Sequence, residues 1–284
     1  MKACRSIAAL ALVAVTVLLG GCASSPVSLY EVREFAEASA KLGGYTELSK
    51  RYRDTYAREK PYLSPVADRI GKETDSTRRA TYEDSVSVQK ALVLYMQTLT
   101  VLAGDTRFDL TLKLDDIGTG VKALAGSGVE QKHAVAYTGL TRLLTRVIAS
   151  GYQNRSVESM VRDGDQHVRV LLDGTISLTH LYQKTHNNER KTVLALFDVE
   201  IPFAGKAHDR MLVTIAKVHY QDKAQEYKLL DRRYEMALQG LMKVAAGHQK
   251  MRDNLDKLHN DEVRHTLGDF ARDLKLISVA LGSH

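Results

Sequence analysis

Apolar residues return every three or four positions along most of this chain, which is the period of an amphipathic α-helix. The pattern is cleanest in the last quarter. Leu230, Tyr234, Ala237, Leu241, Val244, His248, Met251, Leu255 and Leu258 alternate steps of four and three. Tyr220 and Tyr227 extend the seam upstream. After a break near Asn260, Val263, Leu267, Phe270, Leu274, Ile277 and Leu281 make a second stripe of the same kind. Polar residues crowd both flanks, so the stripes are narrow heptad seams of the sort that pack as knobs into holes. A helix running unbroken from Met211 would be on the order of 60 Å long. Burying one seam side chain contributes roughly 1.5–3 kcal/mol before entropy is subtracted, so two seams supply a substantial core.

The same period, with breaks, predicts the remaining elements. A first helix is expected over 29–58, with Gly43-Gly44 as a kink and Pro61 and Pro65 as its stop. A second runs over 66–103 and ends at Gly104, a residue suited to the left-handed turn of a helix end. Segment 109–125 reads as a strand through Phe108, Leu110, Leu112 and Leu114. It reads equally as a helix through Leu110, Leu114, Ile117, Val121 and Leu124. The longer stripe decides for helix, followed by a turn at Gly126-Ser127-Gly128. A fourth helix covers 129–150. Segment 151–164 is expected to be a short, loose-ended helix, and Asp165 to cap a new one running to about 196. Pro202 and Gly205 mark a break in 193–203. Tyrosines and bases interleave over 45–62. Such a patch could touch lipid headgroups; the plainer reading is tyrosines inward and bases outward.

Composition agrees with helices and adds a location. There are four Pro, no Trp and thirteen Tyr. The N-terminus carries Lys2 and Arg5, then an apolar run from Ile7 to Leu18. It is shorter than the roughly 20 residues of a membrane span and reads as a secretory signal peptide. It closes on Leu19-Gly20-Gly21-Cys22, which resembles the lipobox of bacterial lipoproteins. The resemblance covers residues 1–22. It implies cleavage between Gly21 and Cys22, and acylation of Cys22 as the first residue of the mature chain. Members of that family carry several acyl chains, and more than one is what stable anchoring requires. Ala23 follows the cysteine; the absence of Asp there implies the outer membrane in a Gram-negative cell, facing the periplasm.

The domain reading is a signal peptide over 1–21, a tether over 22–28 and a single α-helical domain over 29–284. The tether is small, polar and contains Pro26. With the leader removed, 38 bases stand against 34 acids, a charge of +4. That permits anionic lipid contact without demanding it; export argues against nucleic acid. The two cysteines are Cys4 and Cys22. One leaves with the leader and the other takes the lipid, so the fold must rest on its core without a disulfide.

Fragments with catalytic echoes do not assemble into sites. Gly118 to Ala123 matches a GxGxxA pattern but lacks the strand–turn–helix context a dinucleotide needs. Glu262 and His265 form an ExxH pair beside His259, without the second pair of a di-iron bundle. Glu158-Ser159 and Gly240-Leu241-Met242 echo cell-wall lyases of the lysozyme-like fold, but about eighty residues separate them. His248 on the seam reads as a hydrogen-bonded core residue or a small register device, not a catalyst. No catalytic residue, metal ligand or cofactor is assigned.

The expectation is an all-α, elongated antiparallel bundle, lipid-anchored through Cys22. It would act by binding or scaffolding in the cell envelope, with an envelope protein, peptidoglycan or anionic lipid as partner. An envelope enzyme acting on cell wall or lipid is the alternative, and a lipid or small-ligand carrier a further one. A cleft of paired acids would mark the enzyme, an apolar cavity the carrier, and a filled core with an exposed apolar patch the scaffold.

Overall fold

Long helices with heptad stripes bury those stripes by lying side by side, and most of the described helices do so. The computed structural model describes residues 29–41, 44–104, 110–117, 120–121, 129–152, 156–204 and 207–282. Among the described residues the helices are α1 (Tyr30–Ala40), α2 (Gly44–Arg53), α3 (Thr55–Glu59), α4 (Pro65–Leu102), α5 (Thr111–Asp115), α6 (Gln131–Ala149), α7 (Val157–Phe203), α8 (Arg210–Asp253) and α9 (Asp261–Gly282). Short 3₁₀ turns occupy Lys60–Tyr62 and Ala207–Asp209. No helix among the described residues is long and apolar enough to cross a membrane.

The frame is the antiparallel hairpin of α7 and α8. Their 47 and 44 residues make rods of about 70 and 66 Å at 1.5 Å per residue. The other helices pack along the lower part of this hairpin. α9 returns antiparallel to α8, pinned by Lys250–Glu262 at 2.7 Å, Lys243–Asp273 at 2.6 Å and Arg233 donating to the Leu281 carbonyl at 3.2 Å. α6 runs antiparallel to α7, with His167 over Gly139 and His133 over Gly174. α1 enters at the base, where Glu31 pairs with Arg264 at 2.8 Å and the Phe35 ring lies on Gly247. A Cβ at Gly247 would sit 2.3 Å from that ring. The core is dominated by Tyr95, Tyr137, Tyr234, Phe35, Leu140, Leu144 and Met251, all essentially inaccessible.

The seams expected at the C-terminal end are present. Tyr227, Leu230, Tyr234, Ala237, Leu241, Val244, His248 and Met251 are buried on α8, and Val263, Leu267, Leu274 and Leu281 on α9. Leu258 is buried in the turn between them.

Four boundaries differ from the sequence reading. The expected helix over 29–58 is three helices, with a turn at Asp54 whose carboxylate is held by Arg53 at 2.7 and 2.8 Å. Regular helix in 109–125 is confined, among the described residues, to the five residues of α5. Asp165 does not cap a helix. α7 starts eight residues earlier, where the Ser156 side chain accepts from the Ser159 backbone at 3.2 Å, and runs through Gly164. That glycine reads as a stop in sequence, but it makes room for the Tyr95 ring, 2.8 Å from where its Cβ would be. Pro202 sits in the last turn of α7, close enough to the end for the helix to persist to Phe203.

Candidate functional site

The helical hairpin outgrows the helices that cover it. Val193 is the last buried residue of α7, and Tyr227 the first of α8. An aromatic group marks the upper limit of the body: Phe197 packs on Tyr62, His219 and Tyr220 at centroid distances of 5.9, 5.4 and 6.2 Å. The Tyr62 hydroxyl and His219 Nε2 share a hydrogen bond of 3.0 Å.

At the tip, α8 carries two apolar stripes. Val213, Ala216 and Tyr220 are half-buried against α7. Met211, Leu212, Ile215 and Val218 face outward, joined by Leu196, Val199 and Phe203 of α7. Phe203 is 82% exposed and Met211 76%. Single apolar residues on a surface are ordinary, whereas a gathering at one end marks a contact surface. Over 196–218 the chain has Asp198, Glu200 and Asp209 against Lys206, Arg210 and Lys217. This balance lacks the basic excess of helices that lie on anionic membranes.

A buried polar centre sits lower on the hairpin. The α7 stripe Leu178, Tyr182, His186, Glu189, Val193 steps by four, four, three and four, and two of its members are a histidine and a glutamate. Glu189 is 1% exposed. Arg58 grips it with two bonds of 2.9 and 2.7 Å; Arg51 adds one at 3.2 Å and the Tyr227 hydroxyl one at 3.3 Å. Arg51 also reaches Glu226 at 3.1 Å. Nearby, Asp231 accepts from Arg190 and bonds His186 Nε2 at 3.0 Å. Burial pushes the His186 imidazole below its ordinary range, against the pull of Asp231, so it is neutral at pH 7. Three arginines, Arg51, Arg58 and Arg190, meet three acids, Glu189, Glu226 and Asp231. The charges satisfy one another, and the centre acts chemically as a clasp that ties α2 and α3 to the hairpin. The bases of 45–62 are therefore not all outward: Arg51 and Arg58 turn inward, because an unpaired buried carboxylate would be costly. Tyr52 is inward as expected, stacked on Tyr182 at 4.4 Å.

A second polar contact lies near the base. The Tyr95 hydroxyl and His248 Nε2 are 2.9 Å apart, and His248 Nδ1 faces Asp165 Oδ1 at 3.8 Å. Facing a carboxylate favours the proton on Nδ1, with Tyr95 donating to Nε2. Burial drives His248 down to about 4 despite Asp165 and Tyr95 well above its usual value. Tyr95 and His248 are closed off from solvent. His248 is thus the core residue its seam position implied.

The remaining sequence candidates do not converge. Glu262 is an exposed partner of Lys250, and His259 and His265 are exposed. No group of three or more His, Cys, Asp or Glu among the described residues could hold a metal ion. Of the GxGxxA fragment only Gly120 and Val121 are described, and neither is in a helix. Gly21 and Cys22 lie outside the described residues. The sequence reading missed the tip and the Glu189 clasp. The clasp was signalled by a histidine and a glutamate on a seam, and the tip by a second apolar stripe beside the first. Compared with models of protein families, with curated proteins and with solved structures, the chain matches none.

Proposed function

We propose that this chain is a lipid-anchored component of the cell envelope that holds a protein-binding surface away from its own membrane. The anchor is acylated Cys22, most simply in the outer membrane and facing the periplasm. One observation carries the reading: the start of α1 and the exposed apolar tip lie at opposite ends of the hairpin. Glu31, in the first turn of α1, pairs with Arg264 at the start of α9, just past the C-terminal end of α8, while Phe203 and Met211 crown the other end. Six residues, 23–28, separate the acylated cysteine from the body at Leu29, and these seven steps reach about 24 Å when extended. The hairpin adds about 70 Å. An apolar surface so placed is offered outward, and its balanced charge suits a protein better than an anionic bilayer.

The test is positional. Cys22→Ala should abolish lipid labelling and normal processing; labelling that survives would remove the anchor from the account. A dye on Phe203→Cys in the anchored protein should transfer little energy to acceptor lipids in the same bilayer. A dye on Glu262→Cys, at the base, should transfer strongly. Equal transfer from both positions would mean that the body lies flat, and the reading would fail.

A further inference from the structure

A cavity of about 330 Å³ opens on the flank of the bundle, between α4, α7 and α8 and beneath α5. That volume is at the small end of ligand sites. Its walls are apolar: Val86, Val93, Met96, Leu172, Leu241 and Val244 line it. The polar groups on the walls are already engaged. Ser39 Oγ donates to the Phe35 carbonyl and Thr175 Oγ1 to the Leu171 carbonyl, both at 2.8 Å. Gln89 Nε2 donates to Ser49 Oγ at 2.8 Å. An interior whose surface is mostly apolar, with its hydroxyls already bonded, holds hydrocarbon better than water or sugar.

The rim has a different chemistry. Lys90 and Lys113 stand there with Gln97 and Asp116. Lys90 donates to the Asp116 backbone carbonyl at 3.3 Å, and Lys113 to Gln97 Oε1 at 3.1 Å. Neither ammonium is in an ion pair with a carboxylate of the described residues. A second cavity of about 310 Å³, with Ala40, Val101 and Leu110 in its wall, shares Gln97 and Lys113 with the first. The two apolar hollows therefore adjoin at a lysine.

We propose that this flank binds a single-chain anionic amphiphile, with its acyl tail in the apolar cavity and its carboxylate or phosphate head group between Lys90 and Lys113. The tail matches walls that are mostly hydrocarbon, and the head matches two cations without an ion-pair partner among the described residues. A cationic head would be repelled, and an uncharged one would leave the lysines unused. This site is independent of the hairpin tip and of the anchor.

The test uses the full chain in a neutral alkyl maltoside and a photoreactive 16-carbon fatty acid, with labelled peptides mapped after irradiation. Label should concentrate on residues 86–97. Hexadecanoate or hexadecyl phosphate should displace it at least tenfold better than hexadecanol, and the better of the two names the head group. Val93→Trp should fill the cavity and remove at least nine-tenths of the label. Val86→Phe, a smaller filling change, serves if Val93→Trp lowers the melting temperature. Lys90→Glu combined with Lys113→Glu should abolish the preference for anions. Label gathered on the Leu196 to Val218 tip, hexadecanol competing as well as hexadecanoate, or labelling unchanged in the folded cavity-filling variants would each overturn the proposal.

Discussion

Lowering the pH from 7 to 5 should destabilise the bundle, and His248 should account for a measurable share. The imidazole is 2% exposed and bonded to Tyr95. Burial lowers it from 6.5 to about 4. In the unfolded chain it regains its ordinary value, so between these limits the unfolded state binds the proton and the folded state does not. The contribution is complete above pH 6.5 and is lost as pH falls towards 4. A shift of about 2.5 units corresponds to roughly 3 kcal/mol in full, of which about 2 kcal/mol disappears between pH 7 and 5. Carboxylates that the fold holds low, such as Glu31 beside Arg264 and Asp54 beside Arg53, also lose their contribution at acid pH. They do so in any variant and cancel in a comparison. His248→Gln keeps a polar group of similar size that can bond Tyr95 and cannot titrate. Denaturant unfolding of both proteins at pH 7 and 5 should show the variant losing about 2 kcal/mol less than the native chain. Parallel losses would refute the argument that a buried neutral imidazole stabilises this core.

Other substitutions test the packing. Gly164→Ala puts a methyl 2.8 Å from a Tyr95 ring that cannot retreat. After the gain in helix propensity it should cost about 1–2 kcal/mol by denaturant unfolding; a stabilised variant would show that the ring is not held there. Glu189→Ala leaves Arg51 and Arg58 without their shared carboxylate and should cost about 3 kcal/mol, with the arginines partly relieved by solvent. An unchanged melting curve would reduce the clasp to a surface pair. Leu241→Asp places an unpaired charge at a seam position that is 5% exposed and should abolish cooperative unfolding near room temperature.

Much of the fold was legible because heptad spacing is a local property. The seams of α8 and α9 could be read residue by residue, and α4 and α6 ended within a residue or two of their expected limits. What failed depended on contacts between distant segments. Gly164 looks like a helix end until the Tyr95 ring, from α4, is seen to need its space. Arg51 and Arg58 look like solvent-facing bases until Glu189, more than a hundred residues on, is found buried opposite them. The tip was hidden for a related reason. Met211, Leu212, Ile215 and Val218 have the composition of a core stripe, and only the absence of a covering helix among the described residues turns them into a surface. The flank cavity is likewise made by helices whose apolar residues each read as ordinary core.

The most direct test of the account is site-specific photocrosslinking in intact cells, with the reactive group at Phe203 on the tip or at Leu276, another exposed apolar position, on α9. The anchored chain should yield one dominant protein adduct from Phe203 and none like it from Leu276. The Phe203 adduct should be lost in Cys22→Ala. The same adducts from both positions, or lipid adducts alone from Phe203, would contradict a scaffold that works through its raised tip.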